Sequence, residues 1–156
     1  MQLKSLEGCR LKIGSYPSFL YNALGGGGQG TLLPSKKKNL LYLKFSCQTF
    51  SIPPLTFKNT KFLGLPLSPG LKIEMFMDKL EGIINDNSGE VLFKFESKFI
   101  FSIGGIIKFP YLLVKTSLKT GTVKGKLHEG HGLVRQKNGK TKLVGISIIP
   151  PTGNKI

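Results

Sequence analysis

The chain has 156 residues, of which 40% are hydrophobic and eleven are Phe, and it carries 23 basic against 8 acidic side chains for a net charge of +15. That length suits a single domain with one core, and the apolar and aromatic content excludes a disordered chain despite the charge. The longest nearly apolar run, between Lys98 and Lys108, is about half of the roughly 20 residues a membrane-spanning helix needs, so no helical crossing is expected.

In chain order, the dominant pattern is period-2 alternation, the signature of half-buried strands. Met1 to Cys9 is polar and mixed, without the apolar stretch of a targeting segment. Cys9, Leu11 and Ile13 alternate with Arg10 and Lys12, and Phe19, Tyr21 and Ala23 form a second strand before the run Gly25 to Gly28. Gly25–Gly30, with Pro34 and Lys36–Lys38, reads as a long hairpin loop. Leu41, Leu43 and Phe45 alternate next, followed by Leu71, Ile73 and Met75, a strand near Leu80–Ile84, and Val91, Phe93 and Phe95 continuing through Phe99 and Phe101. Tyr111–Val114 is apolar on both faces. Val123 and Leu127 share one face, and Val144, Ile146 and Ile148 close the series.

Turn chemistry falls between these runs. Asn85–Gly89 separates two strands, and Asn138-Gly139 carries the residue pair of a type I′ hairpin turn. Helix signals are poor: Met75–Ile84 has the composition of a short helix, but Gly82 and the pair Ile83-Ile84 weaken it. From Leu71 onward the simplest topology is a run of consecutive hairpins. The expected fold is therefore all-β, a single domain over 1–156, with an antiparallel meander closing into a barrel or a two-layer sandwich and little helix.

The charge is unevenly spread. Residues 1–70 carry a net +8, residues 108–156 a net +9, and residues 71–107 a net −2. Twenty-one of the basic residues are Lys, which fits base-specific recognition weakly, because base reading leans on Arg. Lys36, Lys37 and Lys38, with Lys124, Lys126, Arg135, Lys137, Lys140 and Lys142, are the candidate anionic-surface-binding residues. No aromatic residue follows Tyr111 in the C-terminal basic region, against the stacking platform of a single-strand binder.

Motifs for chemistry are weak. Gly25–Gly30 lacks the Gly-Lys-Ser/Thr and the helix of a phosphate-cradling loop. His128 and His131 are three apart rather than the four of a helical zinc pair and read as exposed loop residues, so no metal site is expected. Cys9 and Cys47 read as buried free thiols. Asp78, Glu81, Glu90 and Glu96 read as surface acids or as partners for the lysine excess rather than as catalytic acids. Catalytic residues and cofactors are expected to be none.

Several segments resemble an uncharacterised β-rich protein family of cyanobacteria and chloroplasts. They are Ser15–Asn22 with the glycine run, Ser51–Leu55, Phe62–Leu71, Leu80–Ile84 with Ser88–Val91, and Leu143–Gly153. The resemblance brings no known activity. It implies a photosynthetic source, a cytoplasmic, stromal or thylakoid-surface location, and a further apolar strand in its members that bears on barrel closure. The functional expectation is a non-enzymatic binding or docking protein. Its partner would be an apolar small molecule, a protein complex or an anionic membrane surface. The alternative is a basic nucleic-acid-binding module using Lys–phosphate contacts.

Overall fold

The computed structural model describes residues 1–12, 18–33, 35–124 and 129–147. Thirteen strands and no helix occur among them: β1 (Gln2–Lys4), β2 (Cys9–Leu11), β3 (Phe19–Tyr21), β4 (Gly27–Leu33), β5 (Leu40–Phe45), β6 (Thr60–Phe62), β7 (Leu65–Pro66), β8 (Leu71–Asn85), β9 (Val91–Ile103), β10 (Ile107–Lys108), β11 (Leu112–Lys119), β12 (Thr122–Lys124) and β13 (Glu129–His131). All pairings between strands are antiparallel. The main sheet has seven strands in the order β1-β4-β5-β8-β9-β10, with β11 also on β9. A four-stranded sheet runs β2-β3-β6-β7, and β12-β13 form a separate ribbon. The all-β meander is therefore present. No pairing closes the main sheet into a barrel among the described residues, and the arrangement is two-layered.

The spine is the β8/β9 hairpin. Sequence alternation suggests two strands near Leu71–Phe76 and Leu80–Ile84, and the structure joins them into one strand of 15 residues. Inward positions are odd-numbered at Ile73 and Met77 and even-numbered at Leu80 and Ile84. A regular strand cannot change parity, because side chains alternate strictly. The change is made by an extra residue: Met77 faces Ser97 and Lys79 faces Glu96, leaving Asp78 without a partner. This is a β-bulge. Ser97 is fully buried beside it, and its hydroxyl donates 2.8 Å to the Phe76 carbonyl. The helix-like composition of Met75–Ile84 is thus the trace of a strand whose phase slips once.

Two cores lie on one face of the sheet, and the first spans the bulge from Met77 to Leu80. In the first, Leu43, Phe45, Met77, Leu80, Ile84, Val91 and Phe93 pack together, with Leu3, Phe50, Ile52 and Leu143 against them. In the second, the small sheet lays Cys9, Leu11, Phe19 and Tyr21 over Leu71, Ile73, Met75, Phe99 and Phe101, with Leu55 and Leu67 buried among them. Leu55 and Ile73 exchange two backbone hydrogen bonds of 2.8 and 3.0 Å, which hold the small sheet's approach to β8. The Tyr21 hydroxyl donates to the Pro53 carbonyl, and burial first, then the nearby Cys9 thiol, pushes its pKa up to about 12.

Two local readings change. The glycine run is not a long loop, because Gly27–Leu33 is β4, between β1 and β5. A Cβ on Gly27 would lie 1.9 Å from the Leu3 carbonyl oxygen, so only glycine lets β1 pair there. At Asn138-Gly139 only the glycine has positive φ, at 85°. The Gly139 amide donates 2.9 Å to the Gln136 carbonyl, and the Gln136 amide 2.9 Å to Lys140. That is a type I turn followed by a glycine bulge rather than a type I′ turn, because the loop holds three residues and not two. A two-residue turn with both φ positive occurs instead at Leu63-Gly64, joining β6 and β7, with an exposed Leu in the strained position. The thiols are both free, Cys9 half-buried and Cys47 exposed rather than buried. Ile13, Gly125, Leu127, His128, Ile148 and Ile149 lie outside the described residues.

Because Asp78 is exposed and its carboxylate meets Lys98 at 3.7 Å, replacing it by Ala should cost less than about 1 kcal/mol. Deleting Asp78 should instead turn one half of β8 inside out and abolish cooperative urea unfolding, since a one-residue slip moves every side chain to the other face.

Candidate anionic-surface interface

The sequence-predicted lysines sit on turns and strand ends. Lys36, Lys37 and Lys38 occupy the turn between β4 and β5, all exposed. The Ser35 hydroxyl accepts from the Lys37 amide at 3.2 Å, the Leu40 amide donates 3.3 Å to the Lys37 carbonyl, and Asn39 follows at φ 68°. Asn is among the residues that tolerate this left-handed conformation. β5 then pairs with β8 from Leu40 opposite Asn85, which places the lysine turn beside the β8/β9 turn.

That second turn is the hub. Asn85 Oδ1 accepts from the amides of Asn87 and Ser88 at 2.9 and 3.0 Å, and the Gly89 amide donates 2.8 Å to the Asn85 carbonyl. From one side the Asp86 amide donates 2.8 Å to the Asn39 carbonyl. From the other, the Arg135 amide donates 2.8 Å to the Gly89 carbonyl, and the guanidinium approaches Asp86 at 3.8 Å. Arg135 leads directly into the turn that carries the exposed Lys137 and Lys140, where the Lys140 amide bonds Asn138 Oδ1 at 3.0 Å. Two basic segments about a hundred residues apart in sequence are therefore tied to one turn, at one end of the sheet.

The remaining candidates are less closely joined. Lys142 pairs with Leu133, and Lys124 lies on β12 opposite Glu129 of β13, on a ribbon whose root, Thr120, hydrogen-bonds Val91. Lys126 lies outside the described residues. His131 stands in β13 rather than in a loop, exposed, with Nδ1 3.0 Å from the Thr122 hydroxyl and Nε2 3.7 Å from Glu129. Among the described residues no three His, Cys, Asp or Glu side chains gather as metal ligands.

Glu74, Asp78, Glu81 and Glu96 lie on the sheet face away from the cores, where they pair with lysines. Glu81 lies 3.1 Å from Lys79; that hydrogen bond, with help from Lys44, holds its carboxyl below the usual range and lifts the Lys79 ammonium above its own. Glu96 meets Lys115 at 3.9 Å, and Glu74 meets Lys72 at 3.9 Å. The approach of Asp78 or Glu81 to another carboxylate, as acid–base chemistry would need, is replaced by lysine partners. At the basic end an open depression of about 350 Å³ is lined by Leu40, Asn85, Glu90, Leu92, Lys119 and Thr120, among others.

Sequence reasoning identifies the lysines but misses the hub. The Asn85–Gly89 turn is legible as a turn, whereas the docking of Asn39 and Arg135 on it depends on contacts distant in sequence. Comparison of this chain with protein-family models, curated proteins and solved structures gives no match.

Gly89 is buried at φ 76°, and a Cβ there would lie 2.6 Å from the Arg135 carbonyl oxygen. Gly89→Ala should destabilise the fold by about 1–3 kcal/mol. It should also raise amide hydrogen exchange at Arg135 more than at Leu43, because the basic hairpin detaches first.

Proposed function

We propose that this chain is a non-enzymatic docking protein that binds an anionic membrane surface through its basic end. One observation carries the reading. The lysine turn 36–38 and the Arg135–Lys140 turn are anchored to opposite sides of the same hub by main-chain hydrogen bonds, and among the described residues Arg135 alone of these cations is ion-paired. Anchoring exposed ammonium groups on short turns fixes them on one side of the molecule without pairing them. Such a cluster lowers its energy most beside a surface of negative headgroups, by about 1 kcal/mol per lysine. A location at a photosynthetic membrane rests on the family resemblance.

The chemistry of this end favours headgroups over bases. Its cations are Lys rather than Arg, apart from Arg135, and no aromatic side chain stands in its turns to stack a nucleotide. Enclosure of an apolar ligand is less well supported than docking, because no pairing among the described residues closes the sheet and the depression at this end is open and partly polar.

The protein should sediment with vesicles containing phosphatidylglycerol at low salt, be released near physiological salt, and ignore pure phosphatidylcholine. Replacing Lys36, Lys37 and Lys38 together by Gln should weaken vesicle binding by about 1 kcal/mol per residue. Absence of vesicle binding at low salt, with tight and steeply salt-dependent binding to RNA or DNA, would turn the assignment to nucleic acid.

A further inference from the structure

The other end of the same hairpin is apolar. β9 has 13 residues, so the turn beyond Ile103 lies about 40 Å from the basic hub. There the chain reverses through Gly104 and Gly105, and β10 returns with Ile107 opposite Ile103. Ile106 is 89% exposed, the most of any large apolar side chain among the described residues, and Ile107 and Tyr111 are more than half exposed. The tip is nevertheless held. The Gly104 amide donates 2.8 Å to the Gly70 carbonyl, and the Phe109 amide 2.9 Å to Phe101. A braced turn that presents isoleucine to water is not explained by the fold, since neither core uses Ile106 or Ile107.

The surroundings indicate what would cover it. Ser102 lies between Lys72 on β8 and Lys108 on β10, in register with both; Lys72 meets Glu74 at 3.9 Å, and Lys108 has no acidic partner among the described residues. Lys98 sits 5.5 Å over the ring of Tyr111. No Asp or Glu occurs anywhere from Ser97 to His128. An exposed apolar turn with Phe109 and Tyr111 following it and Lys108 at its root suits the interface of an anionic bilayer. There the isoleucines reach the acyl boundary, while Tyr and Lys stay at headgroup level. A protein partner would have to supply a matching concavity; a bilayer adapts to the point.

We infer that the Ile103–Tyr111 hairpin tip inserts into the interface of the anionic membrane on which the basic end docks. The inference rests on the docking reading and adds a second contact to it. Two contacts at opposite ends of one stiff hairpin set its long axis along the membrane plane.

The chain has no tryptophan, so Ile106→Trp supplies a single reporter at the tip. With phosphatidylglycerol vesicles its emission should shift to the blue and be quenched by brominated acyl chains. A Val134→Trp reporter beside Arg135 should stay unquenched. Ile106→Asp with Ile107→Asp, on a tip outside both cores, should leave the circular dichroism unchanged and lower vesicle partitioning about tenfold or more. If the wild-type protein sediments with the vesicles while the Ile106→Trp emission stays unshifted, insertion is overturned and docking stands. If the wild type does not sediment at low salt, docking fails and insertion falls with it. A blue shift without lipid that grows with protein concentration would overturn insertion by showing that the tip meets a second copy of the chain.

Discussion

The structure depends on one unpaired residue in one strand. β8 must serve two cores, with Ile73 and Met77 in its first half and Leu80 and Ile84 in its second facing the same side of the sheet. Strict alternation would bury one set and expose the other. Asp78, inserted opposite the junction of Ser97 and Glu96, resets the phase. The disturbance is contained because the Phe76 carbonyl, beside the bulge, receives the buried Ser97 hydroxyl. An unsatisfied buried carbonyl would cost about 1–3 kcal/mol. The charged residue that makes the break points outward to Lys98, where water screens it.

A hairpin that survives this shift can be long, and its length separates two kinds of surface. At the hub end, main-chain hydrogen bonds from Asn39 and Arg135 converge on the Asn85–Gly89 turn and bring basic segments from the two positively charged thirds of the chain together. At the far end the strands run past the second core into an exposed isoleucine turn. Between them the outward face carries alternating lysines and carboxylates, Lys79 with Glu81 and Lys115 with Glu96, where the acidic middle of the sequence offsets part of the lysine charge. On the proposed reading, both ends serve one membrane surface.

The alternation of Leu41, Leu43 and Phe45, of Val91 through Phe101, and of Cys9 with Leu11 was legible because each strand buries one face without interruption. Leu71–Ile84 was legible only as two pieces, since a period-2 reading breaks wherever a bulge shifts the phase. The β4 glycines misled for a different reason: their requirement comes from the backbone of β1 and of Thr49-Phe50, neither of which is nearby in sequence. The short strands β1, β6 and β7 carry too few residues for periodicity to register. The lysine clusters were visible as composition, but their meeting place was not, because it is set by strand order. The isoleucine tip was visible only as part of the longest apolar run, since exposure cannot be told from burial in such a run.

Cross-strand backbone contacts measured by nuclear Overhauser effects along β8 and β9 test the central claim most directly. The structure requires Ile73 opposite Phe101 together with Leu80 opposite Phe95, one register step apart. Contacts of Leu80 with Lys94 alongside an unchanged Ile73–Phe101 pair would describe an unbroken ladder and contradict the shared-face account of the two cores.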